Sequence, residues 1–204
     1  MELILVRHAL PNREERTDGS RADPSLSADG RRQAERLADW FRRHPVDVLY
    51  SSPLRRAAET AEPVARVLGL TPRIAPGVSE FDRDAAVYIP MEELKQTDYA
   101  TWKQFVDGGY GDQVDFESFR RGVVECLEAI IAENPSRRVA VFCHGGVINT
   151  WAASVLGLAP RLFFDAGYTS VNRFLAATSG ERSLVSLNEL AHLEDAEADA
   201  GQRL

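Results

Sequence analysis

Cysteine is scarce in this chain. Its 204 residues include two, Cys126 and Cys143, far apart and outside any Cys-x-x-Cys pair. That pattern argues against a disulfide framework and leads us to expect two buried thiols in a reducing, cytoplasmic setting. Histidine is scarce as well. The four present lack metal-ligand spacing, so no metal and no other cofactor is expected. There is no G-x-S-x-G elbow, no Walker sequence and no dinucleotide fingerprint, which removes the commonest serine hydrolases, P-loop enzymes and nicotinamide enzymes from consideration. No apolar run is long enough to cross a bilayer, and no basic start with a long apolar stretch marks a secretory signal. Positive charge is in deficit: the net charge is −7. This argues against nucleic-acid and anionic-membrane partners, although a local arginine cluster can still oppose it and bind a small anion.

What is present is an alternation of apolar strands and amphipathic helices. Residues 2–7 read as a buried strand. A polar stretch, 11–23, follows as a surface loop. Ser27 reads as the N-cap of a helix carrying Ala34, Leu37, Ala38 and Phe41 at helical spacing. Residues 46–50 read as a second strand. Ser52-Pro53 then reads as cap and first turn of a helix ended by Gly69. Residues 76–113 mix Gly, Pro, aromatics and acids, with short helices expected at 91–95 and 99–106, and read as a cap insertion. A helix from Phe116, a central strand at 138–142, a nearly all-apolar helix at 145–156 closed by Gly157, and late strands at 171–177 and 182–187 complete a domain over 1–193. The acidic residues 194–204 read as a disordered tail. The pattern predicts an α/β fold, a three-layer α/β/α sandwich with a mostly parallel central sheet.

Ligands of such sheets lie beyond the carboxyl ends of the strands. There the sequence sets Arg7-His8 after the first strand and His144 after the central one. Arg56 lies early in a helix and leans back toward the same rim. Arg55 points about 100° away by helical geometry and is set to pair with Glu59. Gly145-Gly146 opens the helix after His144, where small residues let a ligand approach the free N–H groups. Two arginines, two histidines and a helix N-terminus suit a dianionic oxyanion, most plainly phosphate. One of the two histidines can act as nucleophile if a ring nitrogen is free and unprotonated.

Five segments carry a resemblance. Leu5-Val6-Arg7-His8-Ala9, Leu26-Ser27-Ala28-Asp29-Gly30-Arg31-Arg32-Gln33-Ala34, the run from Ser51 to Ala61, Val78-Ser79-Glu80-Phe81, and the run from Val141 to Ile148 resemble, in order, the motifs of the histidine phosphatase, or phosphoglycerate mutase-like, superfamily. The resemblance implies a metal-independent phosphoric monoester hydrolase with His8 as the nucleophile that becomes phosphohistidine. It implies that Arg7, Arg56 and His144 bind the phosphoryl group, with Gly145 at the helix start, and that Glu80 donates a proton to the leaving group. Asp82 and Glu14 stand as alternative acids. Ala9 replaces a usual glycine, so an ordinary backbone is expected there. Asn12 is a candidate phosphate contact, two positions earlier than the common pattern. Glu59 replaces a frequent glutamine.

The implied partner is a small phosphorylated metabolite, and a homodimer is left open. The competing functions are a phosphoglycerate mutase, a phosphohistidine protein phosphatase and a non-catalytic phosphate-binding module. The segment between Glu80 and His144 lacks the long basic and Tyr-Asp-Pro-Pro-Pro-like stretches of the mutases, yet is longer than that of the small protein phosphatases. Of the remaining residues, His44 reads as a helix C-terminal charge and His192 as structural. Trp102 is a candidate pocket wall.

Overall fold

The computed structural model describes residues 1–106, 115–159 and 161–194. The expected tail beyond 194 and residues 107–113 of the expected insertion lie outside the described residues.

Six strands form one sheet: β1 (Glu2–Arg7), β3 (Val48–Ser51), β4 (Arg73–Ile74), β6 (Arg138–Cys143), β7 (Val171–Ala176) and β8 (Arg182–Glu189). Their order is β4-β3-β6-β1-β7-β8. The first four run parallel, β7 is antiparallel to β1, and β8 is antiparallel to β7. Helices α1 (Ala28–Arg43) and α2 (Arg55–Leu68) cover one face, and α5 (Phe116–Glu133) and α6 (Gly145–Leu156) the other.

Strand alternation explains the two cores. Ile4 and Val6 of β1, with Ala140 and Phe142 of β6, meet Leu37, Phe41, Ala61 and Val64. Leu3, Leu5, Val139 and Val141 point the opposite way, toward Val123, Leu127, Val147 and Trp151. Both faces of the central strands are therefore dry, which is why their sequences are continuous apolar runs. No described helix is long and apolar enough to cross a membrane.

Local signals fix the ends of the elements. Ser27 caps α1 by accepting from the Gly30 N–H at 3.0 Å. Gly30 is required there because a Cβ would lie 2.0 Å from the Leu10 carbonyl oxygen. Gly69 and Gly157 end α2 and α6 in the left-handed region, with φ 65° at each. The second helix begins later than its sequence suggests. Ser52 and Pro53 precede it, Leu54 is the N-cap, and the first helical residue is Arg55. The Ser52 hydroxyl accepts from Leu54 N–H at 3.2 Å, closing the turn that precedes the helix, and also lies 2.9 Å from His144 Nε2.

The segment after β4 departs from the sheet. It passes through a 3-10 turn (Pro76–Val78), strand β5 (Val87–Tyr88), and helices α3 (Met91–Thr97) and α4 (Tyr99–Val106). Two features were invisible in sequence: the two-residue strand β4, and a small ribbon in which β2 (Glu14–Glu15) pairs antiparallel with β5. Around that ribbon Arg16 N–H donates to Ala86 O at 2.9 Å and Ala22 N–H to Ala85 O at 2.8 Å. Arg13 also reaches Glu93 at 2.8 Å. The 11–23 loop is thus joined to the segment that follows β4.

Candidate active site

Beyond the carboxyl ends of β1, β3 and β6 lies a cavity of about 410 Å³. Arg7, His8, Arg56, Glu80, Asp82, Gly145 and Gly146 line it at one end. His144 sits beside them, fully buried, its ring centroid 5.1 Å from that of His8. Of the residues singled out from sequence, Arg7, His8, Arg56, Glu80, His144 and Gly145 are brought together. Asn12 is not. It is exposed, and its amide donates to Ser25 Oγ at 3.1 Å and to Leu26 O at 3.3 Å. Glu14 also lies away from the cavity. It accepts from Asp23 N–H at 3.0 Å and pairs with Arg16.

The His8 backbone is held on both sides of β1. Its N–H donates to Cys143 O at 2.9 Å, and its carbonyl accepts from Thr169 N–H at 3.3 Å. Its Nδ1 lies 2.8 Å from the Ala9 carbonyl oxygen. A carbonyl can only accept, so Nδ1 carries the hydrogen and Nε2 keeps its lone pair. Ala9 has no positive φ, as expected, and its N–H donates to Thr60 Oγ1 at 2.9 Å. Burial pushes the His8 imidazole well below its ordinary pKa, and the charges of Arg56 and Arg7 push it further. Burial, then Arg56, His8 and Arg7, do the same to His144. Both rings are therefore neutral at pH 7.

Each arginine has a carboxylate and an aromatic ring for company. Arg56, 1% exposed, donates from Nη2 to Asp82 Oδ1 at 3.1 Å, with its guanidinium 4.6 Å from the centre of the Tyr88 ring. Arg7 donates to the Ala166 carbonyl, lies 3.8 Å from Asp165 and sits 4.0 Å from the Tyr168 ring centre. Arg7 Nε, Arg56 Nε and His144 Nδ1 are buried without a hydrogen-bond partner among the described residues. His144 Nε2 is 2.9 Å from Ser52 Oγ.

Glu80 enters from the 3-10 turn. Gly77 in that turn packs against α5, where a Cβ would lie 2.5 Å from Cys126 Cβ. The Glu80 carboxylate accepts from Gly146 N–H at 2.9 Å. Burial, reinforced by the charge of Asp82, raises its pKa to about 7 despite these bonds and the opposing charge of Arg56. The requirement for glycine thus lies at Gly146, where a Cβ would come 2.3 Å from Glu80 Oε1. At Gly145 a Cβ would meet Arg7 Nε at an ordinary 3.8 Å.

Sequence reasoning missed several supports. Thr60 links Arg56 O (2.7 Å) to Ala9, and Gln33 Oε1 accepts from Leu10 N–H at 2.9 Å. Glu59, besides its expected pair with Arg55 at 2.6 Å, accepts from Leu26 N–H at 2.8 Å. Thr and Gln at fixed offsets from Arg56 and Gly30 were the available signal for the first two. Tyr88, Tyr168 and the left-handed Thr169 (φ 59°) left none. His192 Nε2 lies 3.0 Å from Thr169 Oγ1. His44 caps α1 with its ring stacked on Trp40 at 4.1 Å. Trp102 lines a neighbouring cavity with Lys95, whose ammonium sits 4.7 Å from its ring centre. Both cysteines are free thiols, Cys143 buried and Cys126 half-buried. Among the described residues no group of three or more His, Cys, Asp or Glu is placed to hold a metal ion.

A family model of the histidine phosphatase superfamily, branch 1, matches residues 3–190. Phosphoserine phosphatase 1 of Hydrogenobacter thermophilus is 27% identical over 202 residues, covering 95% of this chain and 94% of that protein. The uncharacterised phosphatase PhoE of Bacillus subtilis is 27% identical over 162 residues, 78% of this chain and 80% of its own. In fold, the chain resembles a phosphoserine phosphatase from Entamoeba histolytica solved with phosphoserine. The TM-score is 0.74 at 24% identity, covering 95% of this chain and 99% of that one.

Proposed function

The chain belongs to the histidine phosphatase superfamily, and from that premise we propose that it hydrolyses a small phosphomonoester through a phosphohistidine on Nε2 of His8. The observation that carries the reading is the Nδ1 hydrogen bond of His8 to Ala9 O, which leaves Nε2 as the free lone pair beside three unpartnered buried nitrogens.

In the first step Nε2 attacks phosphorus in line, and the bond from phosphorus to the ester oxygen breaks. Glu80, protonated at pH values up to about 7, gives its proton to that departing oxygen. Arg7, Arg56, His144 and the N–H of Gly145 at the start of α6 hold the equatorial oxygens, where fixed donors in a dry site stabilise the transition state. In the tautomer in which Ser52 Oγ donates to His144 Nε2, the His144 proton is on Nδ1 and is offered to the phosphoryl group. In the second step water attacks phosphorus, the P–N bond breaks, and the Glu80 carboxylate takes the proton from the water. Inorganic phosphate leaves and His8 is neutral again.

The test is a rapid non-acidic quench with labelled substrate. It should trap an acid-labile, base-stable phosphoryl group, and His8→Ala should abolish both label and turnover. A fully active His8→Ala protein would remove the reading. Stoichiometric return of the label to a second phosphoglycerate, in place of release as phosphate, would favour a mutase.

A further inference from the structure

The cavity has two unlike ends. At one are the arginines, histidines and Glu80. The other is walled by Val87, Ile89, Met91, Leu94, Leu162 and Phe164. Most of these side chains are only partly buried, so their apolar surface remains available to whatever is attached to the phosphate. Among the described residues lining the cavity, Arg7 and Arg56 are the sole Lys or Arg side chains, and both belong to the phosphoryl end. Lys95 lines the adjoining cavity, which shares Met91, Leu162 and Phe164 with this one, and its ammonium is engaged over the Trp102 ring; Arg13 pairs with Glu93. The acidic residues lining the cavity besides Glu80 are Asp82, paired with Arg56 at 3.1 Å, and the exposed Asp165, 3.8 Å from Arg7. A carboxylate on the leaving group would find no Lys or Arg of its own among the described residues that line this end. Desolvating it unpaired is costly.

Resting on the phosphatase reading above, we propose that the substrate is the phosphate monoester of an uncharged, bulky apolar alcohol, its hydrocarbon part seated between Val87–Leu94 and the 162–164 segment. Carboxylate-bearing esters such as phosphoserine and 3-phosphoglycerate are then poor substrates of this chain, despite the names of its relatives. The volume is sufficient for a ring, since cavities of about 300–1,000 Å³ commonly hold small organic ligands. Burial of a phenyl-sized group contributes on the order of 30-fold in affinity.

The experiment compares 2-phenylethyl phosphate, ethyl phosphate, phosphoserine and 3-phosphoglycerate. All are phosphates of primary alcohols, so differences in leaving-group reactivity are small beside the expected effect. The kcat/KM for 2-phenylethyl phosphate should exceed each of the others by about 30-fold or more. In parallel, calorimetry with the wild-type protein should show 3-phenylpropylphosphonate binding more tightly than 2-carboxyethylphosphonate by a similar factor. Met91→Lys, which places a cation at the apolar end, should compress the preference for phenylethyl phosphate over 3-phosphoglycerate. Equal or better turnover of 3-phosphoglycerate or phosphoserine, or equal affinity for the two phosphonates, overturns the inference and leaves the phosphatase reading standing. No phosphate release from any of the four esters overturns both.

Discussion

The Gly146 N–H donates to Glu80 Oε2 at 2.9 Å. This bond joins the candidate proton donor, carried by the segment after β4, to the first turn of the helix that follows His144. It holds the carboxyl beside the phosphoryl end of the cavity, while burial and Asp82 keep its pKa near 7.

Glu80→Gln should therefore act according to the leaving group. An alkoxide needs a proton as the P–O bond breaks and a nitrophenolate needs little help. Hydrolysis of alkyl phosphates should fall by about 10²–10⁴-fold, with p-nitrophenyl phosphate largely spared. In the wild type, kcat/KM for an alkyl phosphate should decline as pH rises through about 7, because the donor loses its proton. That limb should disappear in Glu80→Gln. In Asp82→Asn it should move to lower pH, since a negative charge that raises the Glu80 pKa has been removed. Equal losses on both substrates would assign Glu80 to positioning and make Asp82 the acid to test.

Gly146→Ala should reproduce much of the same signature without touching an ionisable group. A Cβ 2.3 Å from Glu80 Oε1 forces the carboxylate aside, so alkyl phosphate turnover should drop by roughly 10-fold or more while circular dichroism stays that of the wild type. Unchanged selectivity between alkyl and nitrophenyl esters would show that the Glu80 position is unimportant.

Arg56→Ala should reduce kcat/KM by on the order of 10²-fold or more, the scale for losing one donor to transition-state charge. Arg55→Ala, which breaks an exposed pair with Glu59, should change stability by roughly 0.3–0.5 kcal/mol and turnover little. Similar effects of the two on kcat/KM would mean that the wrong face of α2 has been assigned.

Exhaustive chelation should leave turnover nearly unchanged, because the proposed mechanism assigns the charge clamp to arginines and to no metal. Activity lost with EDTA and restored by Mg²⁺ or Zn²⁺ would contradict the mechanism.

Stability should fall on acidification below about pH 6.5. Burial lowers the His192 pKa to about 4, and His8 and His144 are pushed well below their ordinary value. Between the folded and unfolded values the unfolded chain binds more protons. The contribution is therefore complete above about 6.5 and lost progressively below it. Glu80, raised to about 7, works the other way and offsets part of the loss. Urea midpoints at pH 7.5 and 5.5 should differ in the wild type and differ less in His192→Gln. A His192→Gln protein with the same pH dependence as the wild type would show that His192 contributes nothing to it.

The strands and helices that carry Arg7, His8, Arg56 and His144 were legible because their neighbours are dry on both faces, and uninterrupted apolar runs record that directly. The start of α2 was misjudged because Ser-Pro is also a cap signature. Here the Ser52 hydroxyl closes the turn ahead of the helix by accepting from Leu54 N–H, and also meets His144 Nε2, a second use written in tertiary structure alone. Tyr88 and Tyr168 beneath the two arginines, and Thr169 at φ 59°, have no local pattern to announce them. The β2–β5 ribbon is two residues wide on each side, too short for any periodicity. Asn12 illustrates the reverse error. An asparagine in the loop after His8 suggested a phosphate contact despite standing two positions early, and its amide instead closes the turn at Ser25 and Leu26.

That ribbon has a consequence for redesign. Tyr88, the ring under Arg56, is paired in register with Glu14, so this wall of the cavity is built from two stretches more than seventy positions apart. Transplanting 76–106 from a relative with another preference would leave its inner edge without the strand it was shaped against, and would loosen the ring beneath Arg56. A chimaera that exchanges residues 11–25 together with that segment keeps both halves of the pairing, and is the exchange by which preference can change while Arg56 stays in place.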